Sequence, residues 1–140
     1  MTFREMLQTD LDFVASHSIS RGILSKRPAV VEWNYALEHE GKVLGIGGVA
    51  LMTPTVAWFW IELTHYAGDH ILTCYRVLKE WAEILAKDKG IKCGLAYVDC
   101  SFPEAIRTAE HLGFERKATL DQFIGDEPAY LFVRYFKWDQ

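Results

Sequence analysis

The chain has 140 residues, of which half are hydrophobic and 14% aromatic, and carries a formal net charge of −4. This length suits one domain over residues 1–140, and the composition supplies a core and argues against disorder. No run of about 18 apolar residues occurs, which excludes a membrane-spanning helix, and no basic stripe occurs, which argues against nucleic-acid binding through phosphate neutralisation.

In chain order, MTFREMLQTDLDF carries acids and lacks an apolar block, so it reads as no signal peptide, and Phe3 to Leu7 reads as a first strand. Thr9 and Asp10 then precede LDFVASH, where Leu11, Val14 and Ala15 share a face at helical spacing. RGILSKRPA reads as a loop or short helix. Its Lys26-Arg27-Pro28 is the one basic cluster suited to an acidic partner, with a solvated loop as the plainer reading. VVEWNYALEH, the Glu40-Gly41-Lys42 turn and VLGIGGVALM read together as a hairpin. After Thr53-Pro54-Thr55, VAWFWIEL is a third apolar strand, with Trp58 and Trp60 on one face and Phe59 on the other.

Residues 69 to 89 give the clearest helix. Ile71, Leu72, Tyr75, Leu78, Ala82 and Leu85 form its apolar stripe, Asp69 stands at its start as an N-cap, and Gly90 closes it after Lys87 and Lys89. KCGLAYVDC is a strand. Ser101 and Glu104 have capping-box spacing, with Pro103 in the first turn of a short helix that ends at Gly113. ATLDQFI and AYLFVRYFKW, joined by Gly125-Asp126-Glu127-Pro128, form a closing pair of strands.

The order is thus a strand, a helix, a run of strands, a long helix, a strand, a short helix and two strands. This is a mixed α/β arrangement with grouped hairpins, which is not a doubly wound sheet. Cys74, Cys93 and Cys100 are odd in number and lack a CxxC pair; they fit a reducing compartment and read as small buried hydrophobes. The histidines show no metal-ligand spacing, so no metal site is expected; His17, His39 and His111 read as loop, strand-end or surface residues.

With these elements in place, the chain resembles the GNAT fold of acyl-CoA-dependent N-acetyltransferases. FREMLQTDLDF resembles the opening strand and first helix, HEGKVLGIGGVAL the central hairpin, and EAIRTAEHLGFE the fourth helix with its terminal Gly-Phe. The resemblance covers nearly the whole chain and implies a single GNAT-like α/β domain with a mixed, mostly antiparallel sheet flanked by helices. A narrower resemblance, carried by Gly47-Gly48, Trp58-Phe59-Trp60 and the loop HYAGDH, is to small GNAT-like proteins of tailed phages.

What the resemblance implies for chemistry falls on residues 62 to 70. Family members hold the diphosphate of acetyl-CoA on backbone N–H groups at the start of the long helix, through a Gln/Arg-x-x-Gly-x-Gly/Ala loop. Free N–H groups and the positive helix end attract phosphate there. Setting Gly68 on the first glycine puts His65 on the Gln/Arg position and His70 on the second small one. The implied cofactor-binding set is therefore Leu63, Thr64, His65, Tyr66, Gly68, Asp69 and His70. Only one of the three defining positions is kept, and Asp69 puts a carboxylate where the anion would sit; an N-cap after a turn outweighs a working cradle. His65 and His70 offset that carboxylate when protonated.

Glu62, close to where family members often carry a carboxylate, is the candidate catalytic base acting through water. An exposed strand-end charge is the equal alternative. The family's tyrosine near the end of the fourth helix falls on Ala109, and its asparagine before that helix on Phe102. Tyr97, on the preceding strand, could reach the site, although an aromatic on a strand is more often core; Cys100 and Ser101, at the strand-to-helix junction, could polarise a ligand, with Ser101 also reading as a cap.

Two functions follow as expectations. One is an N-acetyltransferase moving an acetyl group from acetyl-CoA to a small-molecule or protein amine. The other is a non-catalytic GNAT-like phage protein that binds another protein in virion assembly or host takeover. A cytoplasmic location, or a host-cytoplasmic or virion one if phage-encoded, and a homodimer accompany them.

Overall fold

A computed structural model of the chain describes residues 1–17 and 33–138. The Lys26-Arg27-Pro28 cluster and the first residues of VVEWNYALEH lie outside the described residues. The elements are β1 (Thr2–Glu5), α1 (Gln8–His17), β2 (Trp33–His39), β3 (Lys42–Leu51), β4 (Val56–Leu63), a 3-10 segment (His65–His70), α2 (Ile71–Lys89), β5 (Cys93–Asp99), α3 (Pro103–His111), β6 (Glu115–Ile124) and β7 (Glu127–Tyr135). The strands form a seven-stranded sheet of order β1-β2-β3-β4-β5-β7-β6, mixed and mostly antiparallel, as expected. No helix among the described residues is long and apolar enough to cross a membrane.

The chain divides into two compact units. The first comprises Met1–Ala50 and Phe59–Ile71, and the second Leu51–Trp58 and Leu72–Gln140. In the first unit, β1 pairs with β2 antiparallel from Thr2↔Glu38 to Glu5↔Tyr35, and β2 pairs with β3 from Trp33↔Val49 to His39↔Lys42. The two-residue turn between them puts Glu40 at φ 51° and Gly41 at φ 77°. Positive φ at both central residues matches the right-handed twist of the flanking strands, and the glycine adopts it without strain. Val14, Ala36, Val43 and Ile46 form the buried core of this unit, with Met6, Leu11, Phe13 and Trp60 packed against it.

Two features at the start of this unit differ from the expectations. The first strand ends at Glu5, and Asp10 lies inside α1, where its side chain is buried. The reason is electrostatic: Arg4 Nη1 and Nη2 donate to the two Asp10 oxygens at 2.7 and 2.8 Å, and the Leu7 N–H donates to Asp10 Oδ2 at 2.7 Å. Arg4 Nε also donates to Glu38 at 2.9 Å. These bonds, first of all those from Arg4, hold the Asp10 carboxyl below the usual carboxylate range.

In the second unit, Val56↔Cys93 to Trp58↔Leu95 pair β4 with β5 in parallel, and β7 lies antiparallel between β5 and β6. The buried set here includes Cys74, Ala86, Ile91, Ala129 and Phe132. Burial pushes the Cys74 thiol up to about 11, so it stays protonated and behaves as a small hydrophobe. The expected capping box at α3 does not form: Phe102 occupies the N-cap position without a side-chain cap bond. Ser101 instead turns back, its N–H and hydroxyl both donating to Asp99 Oδ1 at 2.9 and 2.7 Å. A short polar side chain next to a carboxylate finds the local turn before it finds the helix end.

Candidate functional site

β4 delivers the site. Its last residues and the one that follows are all enclosed: Glu62 is 2% exposed, Leu63 4% and Thr64 1%. The alternative of an exposed strand-end charge at Glu62 is thereby overturned. Burying a carboxylate is costly in the absence of compensating groups, and such positions concentrate where charge is used.

Close backbone approach makes this enclosure possible. A Cβ added to Gly45 would lie 2.7 Å from Leu63 Cδ2 and 3.0 Å from the Glu62 carbonyl, and one added to Gly47 would lie 2.8 Å from the Trp60 carbonyl. Gly45 and Gly47, two residues apart on β3, both approach the β4 backbone this closely. Only hydrogen in place of a side chain permits that spacing.

Thr64 ends the strand and starts the helical run. Its hydroxyl donates to the Val43 carbonyl at 2.8 Å, and its N–H donates to the Leu44 carbonyl at 2.9 Å. Its backbone is extended (φ −93°, ψ 166°), and the Ala67 N–H donates to its carbonyl at 3.1 Å. The 3-10 segment then passes into α2 at Ile71 in ordinary helical geometry (φ −60°, ψ −41°).

The helical run therefore starts at Thr64, five residues before Asp69, and the expected N-cap at Asp69 is corrected. A cap must stand outside the first turn, whereas Asp69 is an exposed residue in the last turn of the 3-10 segment. The N–H groups of His65 and Tyr66 precede the first intrahelical bond and have no acceptor within the run. At Gly68 an added Cβ would meet nothing within 4 Å, so the chain is open on that side.

Three elements reach this turn from elsewhere in the first unit. From the last turn of α1, the Phe13 ring lies 5.8 Å from Tyr66, and the His17 ring lies 5.6 Å from His65 and 5.7 Å from Tyr66. Phe13 and His17 are stacked on each other at 4.2 Å, as expected for aromatic side chains four residues apart on a helix. From β3, Lys42 Nζ stands 5.1 Å over the Tyr66 ring. From β2, His39 meets His70 edge to face at 4.7 Å. His39 and Lys42 are cross-strand partners, so the hairpin end brings both to the turn together. Sequence reasoning missed the parts of His17, His39 and Lys42. The hairpin signal could have linked His39 to Lys42, but nothing local ties either to residues 65–70.

The remaining candidates lie in the second unit. Ala109, at the family's tyrosine position, is buried. Beside it, Thr108 Oγ1 lies 3.4 Å from the hydroxyl of Tyr75, whose ring stacks on His111 at 4.5 Å. Tyr97 is half-buried, its ring tilted against Trp58 (3.9 Å) and the exposed Phe123 (4.0 Å), so it lies at the edge of the core rather than inside it. Among the described residues, no group of three or more His, Cys, Asp or Glu side chains has metal-binding geometry.

No family model and no curated protein sequence matches this chain. Solved structures do. The ribosomal-protein-S18-alanine N-acetyltransferase of Escherichia coli superposes with a TM-score of 0.72 at 18% identity, covering 99% of this chain and 96% of that one. Ard1 of Thermoplasma volcanium gives 0.75 at 15% identity, covering 98% of each. A GNAT family acetyltransferase of Elizabethkingia anophelis, crystallised with acetyl-CoA, gives 0.72 at 12% identity, covering 96% of this chain and 97% of that one. The chain thus has the fold of the GNAT acetyltransferases along nearly its whole length.

Proposed function

We propose that this chain is an N-acyltransferase that transfers an acetyl group from acetyl-CoA to an amine. The observation that carries the reading is the helical run starting at Thr64 directly off β4, in a fold shared with an acetyltransferase crystallised with acetyl-CoA. The residues present suit a diphosphate: backbone N–H groups of His65 and Tyr66 at a helix start, an open approach at Gly68, and basic side chains around the turn. In this reading, residues 63 to 70 hold the ligand by its phosphates. Glu62, enclosed at the end of β4, takes the proton released by the amine through a water molecule.

Acetyl-CoA would supply the activated acyl group as a thioester. Ala109 offers no proton to the departing sulfur, yet a thiol of ordinary acidity, with a pKa near about 8.5, leaves tolerably as a thiolate. As acceptors, structural neighbours suggest both kinds of amine: one acetylates a ribosomal protein at alanine, and others are spermidine N-acetyltransferases.

The test is a thermal shift and titration with acetyl-CoA, followed by thiol release in the presence of spermidine and of peptides with N-terminal alanine. A ligand bound to the native state raises the melting temperature once its concentration exceeds Kd. No shift at millimolar acetyl-CoA would overturn the proposal. The buried Ala109 favours one second reading, a non-catalytic GNAT-like protein that acts by binding another protein. Acetyl-CoA binding without thiol release from any amine would select it.

A further inference from the structure

Phe123 of β6 reaches across β7 and meets the ring of Tyr97 on β5 at 4.0 Å, and Tyr97 in turn meets Trp58 of β4 at 3.9 Å. The planes of neighbouring rings are tilted by 48° and 54°, so the three do not form one flat stack. Trp58 and Tyr97 are half-buried, while Phe123 is 44% exposed. All three rings belong to the second unit.

The backbone of β6 departs from regular pairing to put Phe123 there. Leu120 faces Ala129 and Ile124 faces Glu127, so four steps of β6 run against two of β7. Inside this bulge Gln122 adopts φ 54°, in the left-handed region that a glutamine enters only at a cost. A bulge of this kind re-aims a side chain. An apolar ring left partly in water does not offset that strain, whereas contact between the ring and a ligand does.

The charge around the rings selects the ligand. An aromatic face attracts cations through its quadrupole. Residues 118 to 133, which carry Phe123 and the hairpin turn, include Asp121, Asp126 and Glu127 and no lysine, arginine or histidine. All three carboxylates are exposed. The cations earlier on β6 are engaged elsewhere: Arg116 lies over the Tyr130 ring at 4.4 Å, and Lys117 is 3.2 Å from Glu115. Among the described residues, the cations that lie over rings do so at Tyr66, Tyr130 and Phe136, and none stands over Trp58, Tyr97 or Phe123.

We propose that Trp58, Tyr97 and Phe123, with the carboxylates of the β6–β7 hairpin end, bind a small aliphatic polyamine. Its ammonium groups meet ring faces and carboxylates, and the methylene spacers between them cover the apolar rings. As an acceptor for acetyl transfer, this amine rests on the reading proposed above for its fate, though not for its binding.

Calorimetric titration of the full chain with spermidine, and with an alkane diol of the same length as an uncharged probe, tests the site. Spermidine should bind and the diol should not. Phe123→Leu, which stays apolar and removes the ring, should weaken spermidine binding about tenfold, and Phe123→Tyr, which keeps a ring, should bind as the wild type does. Asp121→Asn combined with Asp126→Asn and Glu127→Gln should weaken binding and remove most of its dependence on salt. Gln122→Gly takes the left-handed backbone without strain and should retain binding, whereas the β-branched Gln122→Val resists that backbone and should lose it. Circular dichroism melting reports the folding of each variant. Equal spermidine affinity in the wild type and a folded Phe123→Leu, equal binding of the diol, or no spermidine binding at millimolar concentration would overturn the inference. The acetyl-CoA titration decides the acetyl-transfer reading separately. Ring-dependent spermidine binding in a protein that neither binds acetyl-CoA nor releases thiol would support the site and overturn that reading.

Discussion

The Thr64 hydroxyl donates to the Val43 carbonyl at 2.8 Å, tying the first residue after β4 to the first strand turn of β3. Because Thr64 is buried, no water replaces this bond when it is removed. Thr64→Val keeps the shape and deletes the hydroxyl, and should destabilise the protein by about 1–2 kcal/mol in urea unfolding. Since the bond also fixes where the helical run starts, acetyl-CoA affinity should fall with it in calorimetric titration. Unchanged stability would mean that the backbone bond to Leu44 suffices.

Glu62→Gln removes the proposed base at nearly constant volume. With an amine acceptor that supports turnover, kcat should fall about 100-fold or more while acetyl-CoA affinity stays within a factor of a few. A kcat equal to wild type would remove Glu62 from proton transfer.

The Arg4–Asp10 pair gives a pH dependence of known sign. The folded-state carboxyl of Asp10 is held below its unfolded value, so its contribution is present above about pH 4 and is lost as pH falls through the folded value. Asp10→Asn should therefore lower stability at pH 7, by about 3 kcal/mol because it leaves Arg4 half enclosed without its main partner. It should also make the acid limb of a stability–pH curve shallower than that of wild type. Denaturant unfolding from pH 7 down to pH 3 reads both effects, and parallel curves would refute the assignment.

At Gly47 the obstacle to a side chain is backbone. The added Cβ of Gly47→Ala would sit 2.8 Å from the Trp60 carbonyl, so β3 and β4 must separate locally, at a cost of about 1–3 kcal/mol. Gly68→Ala, where nothing lies within 4 Å, should stay within about 0.5 kcal/mol of wild type. Equal melting temperatures for Gly47→Ala and wild type would refute the close approach.

Oxidation and alkylation should discriminate among the cysteines. Cys74 is fully enclosed and its thiol is pushed up to about 11, so iodoacetamide at pH 8 should leave it unmodified in the native protein and label it after unfolding. Mass spectrometry of the digested protein locates the label, and native labelling of Cys74 would contradict its enclosure.

Much of the architecture is written in periodicity. The apolar stripe of α2, the alternation and Glu40-Gly41 turn of the β2–β3 hairpin, and the β6–β7 pair are local patterns, and each appears within a few residues of its expected bounds. Where local chemistry had two outlets, sequence alone chose wrongly. Ser101 was free to cap α3 or to turn back to Asp99, and the nearer carboxylate won. Asp69 had the composition of a cap, but Thr64, anchored to β3, started the helical run earlier.

The sequence by itself determined the element order and pointed, through the GNAT resemblance, to the stretch 62–70 as the candidate site. It did so because amphipathic period, turn residues and a helix start are encoded by neighbours in the chain. Only the tertiary structure decided that Glu62 is enclosed and that the turn is surrounded by His17, His39 and Lys42. Those side chains come from α1 and from the end of a hairpin more than twenty residues away, and only packing brings them to one surface. A loop that lacked most of its expected equipment in sequence thus receives basic groups from the elements packed around it.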